Sequence, residues 1–295
     1  MTGVSAIGQQ REERVDVGGA KLWCATSGHG PGVVLAHGGP GMSDNLGPIA
    51  AMLDDIATVH RFDQRACGRS TGQGLGQTMA TAVADMEALR QHWGHDKWIV
   101  GGHSWGAALS MFYALAHPNK THAVLYISGP GITPLTSRPA ARPRRERLSP
   151  TERVAFEALE ARAELGDAVA VRQLAHMFWR TDFSDVSKAP DFDASPMFYY
   201  PRNVEAGNAL GQSAKERLAD DRLVTEVRQL DIPVLVLHGA DDPLPVEGAI
   251  ALADLLPSAE LVTIDAVGHV PWMEDADAMR RALREFVTKV VAESL

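Results

Sequence analysis

Five short apolar runs limit what this 295-residue chain can fold into more than any other feature. They are Val33-Val34-Leu35-Ala36, Trp98-Ile99-Val100, Val124-Leu125-Tyr126-Ile127, Val234-Leu235-Val236-Leu237 and Leu261-Val262-Thr263-Ile264. None alternates with polar residues, so each reads as a strand buried on both faces of a parallel sheet. Helical spacing occupies the gaps, in Met79, Val83, Met86 and Trp93 and again in Met279, Leu283, Phe286 and Val290. At the front, Arg14 to Val17 and Ala20 to Ala25 flank Gly18-Gly19, a two-residue hairpin signal. The pattern predicts the α/β class, a mostly parallel central sheet flanked by helices.

One stretch breaks the alternation. Residues 133–212 open on Pro134, Pro139 and Pro143 and continue in helical segments with no buried strand. They read as an inserted helical cap between a first core part, 1–132, and a second, 213–295. Ser149-Pro150-Thr151-Glu152 marks a helix start within it, with a Ser cap, Pro at the first helical position and Glu at the third.

Composition narrows the function. The net charge of −9 gives no basic face for nucleic acid, so none is expected as a partner. Cys24 and Cys67 are too few for a disulfide framework or a thiolate zinc site. The polar stretch Met1 to Arg14 lacks the apolar core of a signal peptide, and no apolar run nears the roughly 18 residues of a membrane span. A cytoplasmic protein without a membrane partner is expected. His92 and His95 are too few for a metal site without carboxylate or thiolate ligands to join them, so no metal is expected, and no cofactor either. The run Arg138 to Arg147, with Arg142, Arg144 and Arg145, reads as a solvated cap hinge rather than a patch that steers an acidic substrate. Nothing in the sequence fixes the oligomeric state.

Gly102-His103-Ser104-Trp105-Gly106 follows one predicted strand and precedes a helical run, the strand–turn–helix setting of a nucleophile elbow. A tight turn there leaves no room for side chains on either side of Ser104 and sets its hydroxyl at a helix N-terminus. His37-Gly38-Gly39-Pro40-Gly41 ends another strand, where glycines can aim backbone N–H groups into a cleft. Gly39 N–H and Trp105 N–H are the expected oxyanion donors, each worth about 3 kcal/mol in the transition state. Gly239-Ala240-Asp241-Asp242 and Gly268-His269 each follow a further strand. The order Ser104, Asp242, His269, each beyond a strand's C-terminal end, is that of a hydrolase triad. Asp241 is the competing carboxylate. His103, inside the elbow, is expected to support the turn from below.

These motifs, with Asp63-Gln64-Arg65-Ala66-Cys67-Gly68-Arg69-Ser70 between them, resemble the proline iminopeptidase (prolyl aminopeptidase) family, peptidase family S33. The resemblance spans essentially the whole chain. It implies the α/β-hydrolase fold, Ser104 as nucleophile, His269 as base, Asp242 as its orienter, and removal of an N-terminal residue, often proline, from short peptides or amides. The family's elbow usually reads Gly-Gly-Ser-Trp-Gly, whereas His103 holds the second place here. The Trp-x-x-Trp-Glu stretch of the family's cap, which helps bind the substrate amine, is absent. Glu205 is the cap carboxylate left for that role. Trp179, Phe198, Tyr199 and Tyr200, among the cap's apolar residues Met177, Phe178, Phe183 and Met197, are candidates to line a small-molecule or peptide pocket. An esterase, lactonase, amidase or cofactor-free lyase can share this chemistry, and a non-catalytic ligand-binding scaffold is the reading from another class.

Overall fold

The computed structural model describes residues 10–136, 141–193 and 199–293. Its strands are β1 (Arg11–Asp16), β2 (Lys21–Gly28), β3 (Gly32–Ala36), β4 (Thr58–Phe62), β5 (Trp98–His103), β6 (Thr121–Ile127), β7 (Val234–Gly239) and β8 (Ala259–Ile264). They form one sheet in the order β1-β2-β4-β3-β5-β6-β7-β8. β1 and β2 make the antiparallel hairpin expected around Gly18-Gly19, β2 also pairs antiparallel with β4, and every pair from β4 through β8 is parallel.

The uninterrupted apolar runs have a direct cause, because both faces of the central strands are covered. Val34, Val100, Val124 and Val236 pack into one core with α2 (Met79–His92) and α3 (Trp105–Ala116). Their neighbours Leu35, Ile99, Leu125 and Leu237 pack into the other, against α11 (Ala276–Ala292) through Leu283 and Phe286. β8 departs from the expectation: it is the edge strand, and Leu261 is exposed. β4 carries no apolar run at all. Its His60 and Arg61 are buried by pairing: His60 bonds Thr26 Oγ1 at 2.9 Å and stacks on Trp93, and Arg61 pairs with Asp44.

Between β6 and β7 the chain carries α4 (Ala141–Glu146), α5 (Pro150–Glu164), α6 (Ala168–Thr181), α7 (Val204–Leu218) and α8 (Arg222–Arg228). Residue 212 therefore falls inside α7, and the helical insertion runs past it. α5 begins as its sequence predicts. Ser149 Oγ accepts from Glu152 N at 3.3 Å, and the Glu152 carboxylate accepts from Ser149 N at 2.8 Å. This reciprocal cap satisfies two N–H groups the helix leaves unpaired. Among the described residues no helix is long and apolar enough to cross a membrane.

Candidate active site

Ser104 sits between β5 and α3 with φ 56° and ψ −122°, a left-handed conformation that costs a non-glycine residue of order 1–3 kcal/mol. The strain is held in place by close backbone packing. A Cβ on Gly102 would lie 2.6 Å from the Ala36 carbonyl oxygen, and one on Gly106 would overlap the same oxygen outright. Gly106→Ala should therefore force α3 away from β3, a backbone clash that no side-chain rotation relieves. We expect a loss of about 4 kcal/mol or more and a fall in Tm of roughly 10 °C, read by circular dichroism. A melt within 2 °C of the parent, as expected for a neutral surface change of roughly 0.5 kcal/mol, would refute the packing argument.

His269 Nε2 lies 3.0 Å from Ser104 Oγ, and His269 Nδ1 lies 3.0 and 2.9 Å from the two oxygens of Asp242. A carboxylate only accepts, so Nδ1–H donates to Asp242, and Nε2 is left to accept the Ser104 O–H. Asp242 and His269 are 6% and 5% exposed, and Leu244 N donates to Asp242 Oδ1 at 2.7 Å. Asp241 is exposed, and only its backbone bonds here: its N–H donates to the Val267 carbonyl at 2.9 Å and its own carbonyl accepts from Arg147. Burial, the largest influence on His269, pulls its pKa down. The charge and hydrogen bond of Asp242 outweigh that pull, so the imidazole ends above 6.5. Burial pushes Asp242 up, and His269 more than reverses it. Such a row can move a proton from the hydroxyl to the imidazole while the carboxylate stabilises the cation.

His103 lies against this row. Its Nε2 donates to the His269 carbonyl at 2.7 Å, and the two rings stand 4.6 Å apart. Burial holds its pKa down at about 3, so it stays neutral. His269 N in turn donates to the Asp182 carbonyl at 2.6 Å, and Glu274 bridges Gly268 N at 2.6 Å and Ser184 N at 2.8 Å. The segment after α6 is thus fastened to the loop that carries His269.

Gly38 and Gly39 line the same cavity as Ser104 and His269. Trp105 is the first residue of α3, where a backbone N–H has no partner within the helix. Gln64 joins these two elements: its amide donates to the His37 carbonyl at 2.8 Å, and its Oε1 accepts from Trp105 Nε1 at 3.0 Å. Asp63 accepts from Asp44 N and from the Arg69 backbone and guanidinium, which shapes the loops on either side. No role for Asp63 or Gln64 beyond their motif is visible in the sequence, because their partners lie on separate segments.

The cavity measures about 310 Å³ and is roofed by Ala175, Phe178, Trp179, Arg144 and Asp182. Trp179, expected as a pocket residue, is there; its indole N–H donates to the Pro190 carbonyl at 2.9 Å. Other expectations differ. Glu205 is exposed in the first turn of α7 and does not line the cavity. Tyr199, 69% exposed, and Tyr200 line a separate groove with Trp23 and Arg69, which meets the cavity at Asn45. Phe198, like Met197, lies outside the described residues. Arg144, read from sequence as part of a solvated hinge, turns into the cavity and pairs with Asp182. No spacing rule could have joined two cap residues that far apart. His92 bonds Glu13 at 3.0 Å and His95 bonds His60 at 2.9 Å, and no metal-holding cluster occurs among the described residues.

This sheet, with its strand-end site beneath a helical insertion, defines the class. A family model described as alpha/beta hydrolase fold matches residues 31–276, so this is a hydrolase of that fold. The chain is 30% identical to a proline iminopeptidase of Xanthomonas citri, across 88% of this chain and 90% of the relative. It belongs to the proline iminopeptidase family. The solved proline iminopeptidase of Mycobacterium smegmatis superposes with a TM-score of 0.74 at 22% identity, covering 97% of this chain and 100% of that one. A 2-hydroxy-6-oxo-6-phenylhexa-2,4-dienoate hydrolase of Rhodococcus superposes at 0.70 with 23% identity, covering 95% and 99%. The fold alone therefore spans different substrates.

Proposed function

We propose that the chain is a serine aminopeptidase of the proline iminopeptidase type, acting through an acyl-enzyme without a cofactor. The row Ser104–His269–Asp242 carries the reading, with both contacts at hydrogen-bond distance. His269 Nε2 takes the Ser104 proton as Oγ attacks the carbonyl carbon, and returns it to the departing amine. Gly39 and Trp105 N–H groups hold the oxyanion. Water, deprotonated by the same imidazole, then cleaves the acyl-enzyme.

An aminopeptidase needs a carboxylate for the substrate's ammonium. In place of Glu205 we assign Asp182, the cap carboxylate that lines the cavity and pairs with Arg144 through Oδ1. Its Oδ2 has no hydrogen-bond partner among the described residues and can take a cation. A prolyl arylamide should be cleaved at least roughly tenfold faster than its N-acylated analogue or a simple aryl ester, as loss of one charge-assisted hydrogen bond implies. Asp182→Asn should raise KM for the free amine roughly ten- to hundredfold. Preference for the blocked amide or the ester would instead make the protein a general esterase or amidase.

A further inference from the structure

The Arg144 guanidinium reaches into the cavity, but its protein contacts use one corner. Nη1 donates to the Phe178 carbonyl at 3.3 Å, to Thr181 Oγ1 at 3.5 Å and to the Asp182 carboxylate. Among the described residues Nε and Nη2 have no hydrogen-bond partner. The Phe178 ring lies 5.6 Å from the guanidinium carbon and gives it an apolar flank. The side chain is 16% exposed and that of Asp182 15%, so the pair is shielded but open on the cavity side. A guanidinium edge with two parallel N–H groups matches a carboxylate in a way a lysine cannot.

The geometry points to this edge as a binding site for a carboxylate on the leaving portion of the substrate. The preferred substrates are then dipeptides with a free C-terminus. This rests on the aminopeptidase reading and extends it. With the ammonium on Asp182 and the carboxylate on Arg144, four charges alternate in sign along one short row. The zwitterion completes the ion pair instead of competing with it. A cavity of about 310 Å³ is large enough for a ligand of that size.

The test compares prolylglycine with prolylglycinamide, alongside a prolyl arylamide and an aryl ester. In the parent protein kcat/KM for the acid should exceed that for the amide roughly ten- to hundredfold. In Arg144→Met that ratio should fall to about one, within the scatter of a contact that is no longer made. The ratio is internal to each variant, so a general loss of activity cancels from it. Arg144→Lys keeps the charge without the planar fork and should retain a reduced preference, which preserves the test if the Met variant fails to fold. Equal rates for acid and amide in the parent, with the arylamide cleaved, would overturn the carboxylate site and leave the aminopeptidase reading standing. Cleavage of the ester with no aminoacyl substrate turned over would overturn both.

Discussion

Ser104→Ala is expected to lower turnover of every ester and amide substrate by on the order of 10⁶-fold and to abolish covalent labelling by a fluorophosphonate. The size follows from what remains. Without Oγ the imidazole has no proton to take, and the residual rate comes only from binding and from the two oxyanion donors. The fold should be untouched, because among the described residues the hydroxyl bonds His269 alone and the φ of 56° is imposed by the backbone packing of Gly102 and Gly106. Alanine must adopt the same dihedral, as Ala66 and Ala266 already do elsewhere in the chain. Labelling at one equivalent in the alanine variant, mapped by mass spectrometry to another residue, would move the nucleophile away from the elbow and with it the whole proton path.

The parts of this molecule that a single chain segment determines were legible in its sequence. The central strands were visible because both faces are buried, the elbow because its glycines answer to the Ala36 carbonyl, and the α5 cap because four consecutive residues suffice to build it. What depends on distant partners was hidden. β4 was missed because His60 and Arg61 look like solvent-facing residues until Thr26, His95 and Asp44 are seen to satisfy them. Arg144 belonged to a basic run and Asp182 to a helix end, and only the folded cap brings them together over Ser104. The place of Glu205 outside the cavity has the same cause. Its position on α7 was plain, but which helix roofs the cavity is decided by tertiary packing, and α6 does so through Ala175, Phe178 and Trp179. The edge position of β8 was likewise beyond reach, since Leu261, Val262 and Ile264 suggest a covered strand and only the strand order leaves one side open.

Asp242→Asn should cost roughly 10⁴-fold in kcat while leaving the packing of the site intact, and the pH profile should show why. Asparagine has nearly the same shape, but its amide nitrogen can place a donor against His269 Nδ1. The ring then favours the opposite tautomer, with Nε2 protonated and unable to accept from Ser104. In the parent, burial pulls the His269 pKa down, but the Asp242 charge and hydrogen bond lift it above 6.5. A base must be neutral to work. Parent kcat/KM should therefore rise with pH through an inflection above the ordinary imidazole value of about 6.5. Removing the carboxylate leaves burial and the Arg144 charge, both of which act downward, against the lesser upward pull of Asp182. The acid limb of the remaining activity should accordingly move to lower pH. The exposed neighbour supplies the control: Asp241→Asn changes a side chain that touches neither His269 nor the cavity, so its profile should overlay that of the parent. An acid limb that stays in place in Asp242→Asn, or one that moves equally in Asp241→Asn, would show that the imidazole takes its charge stabilisation from another group.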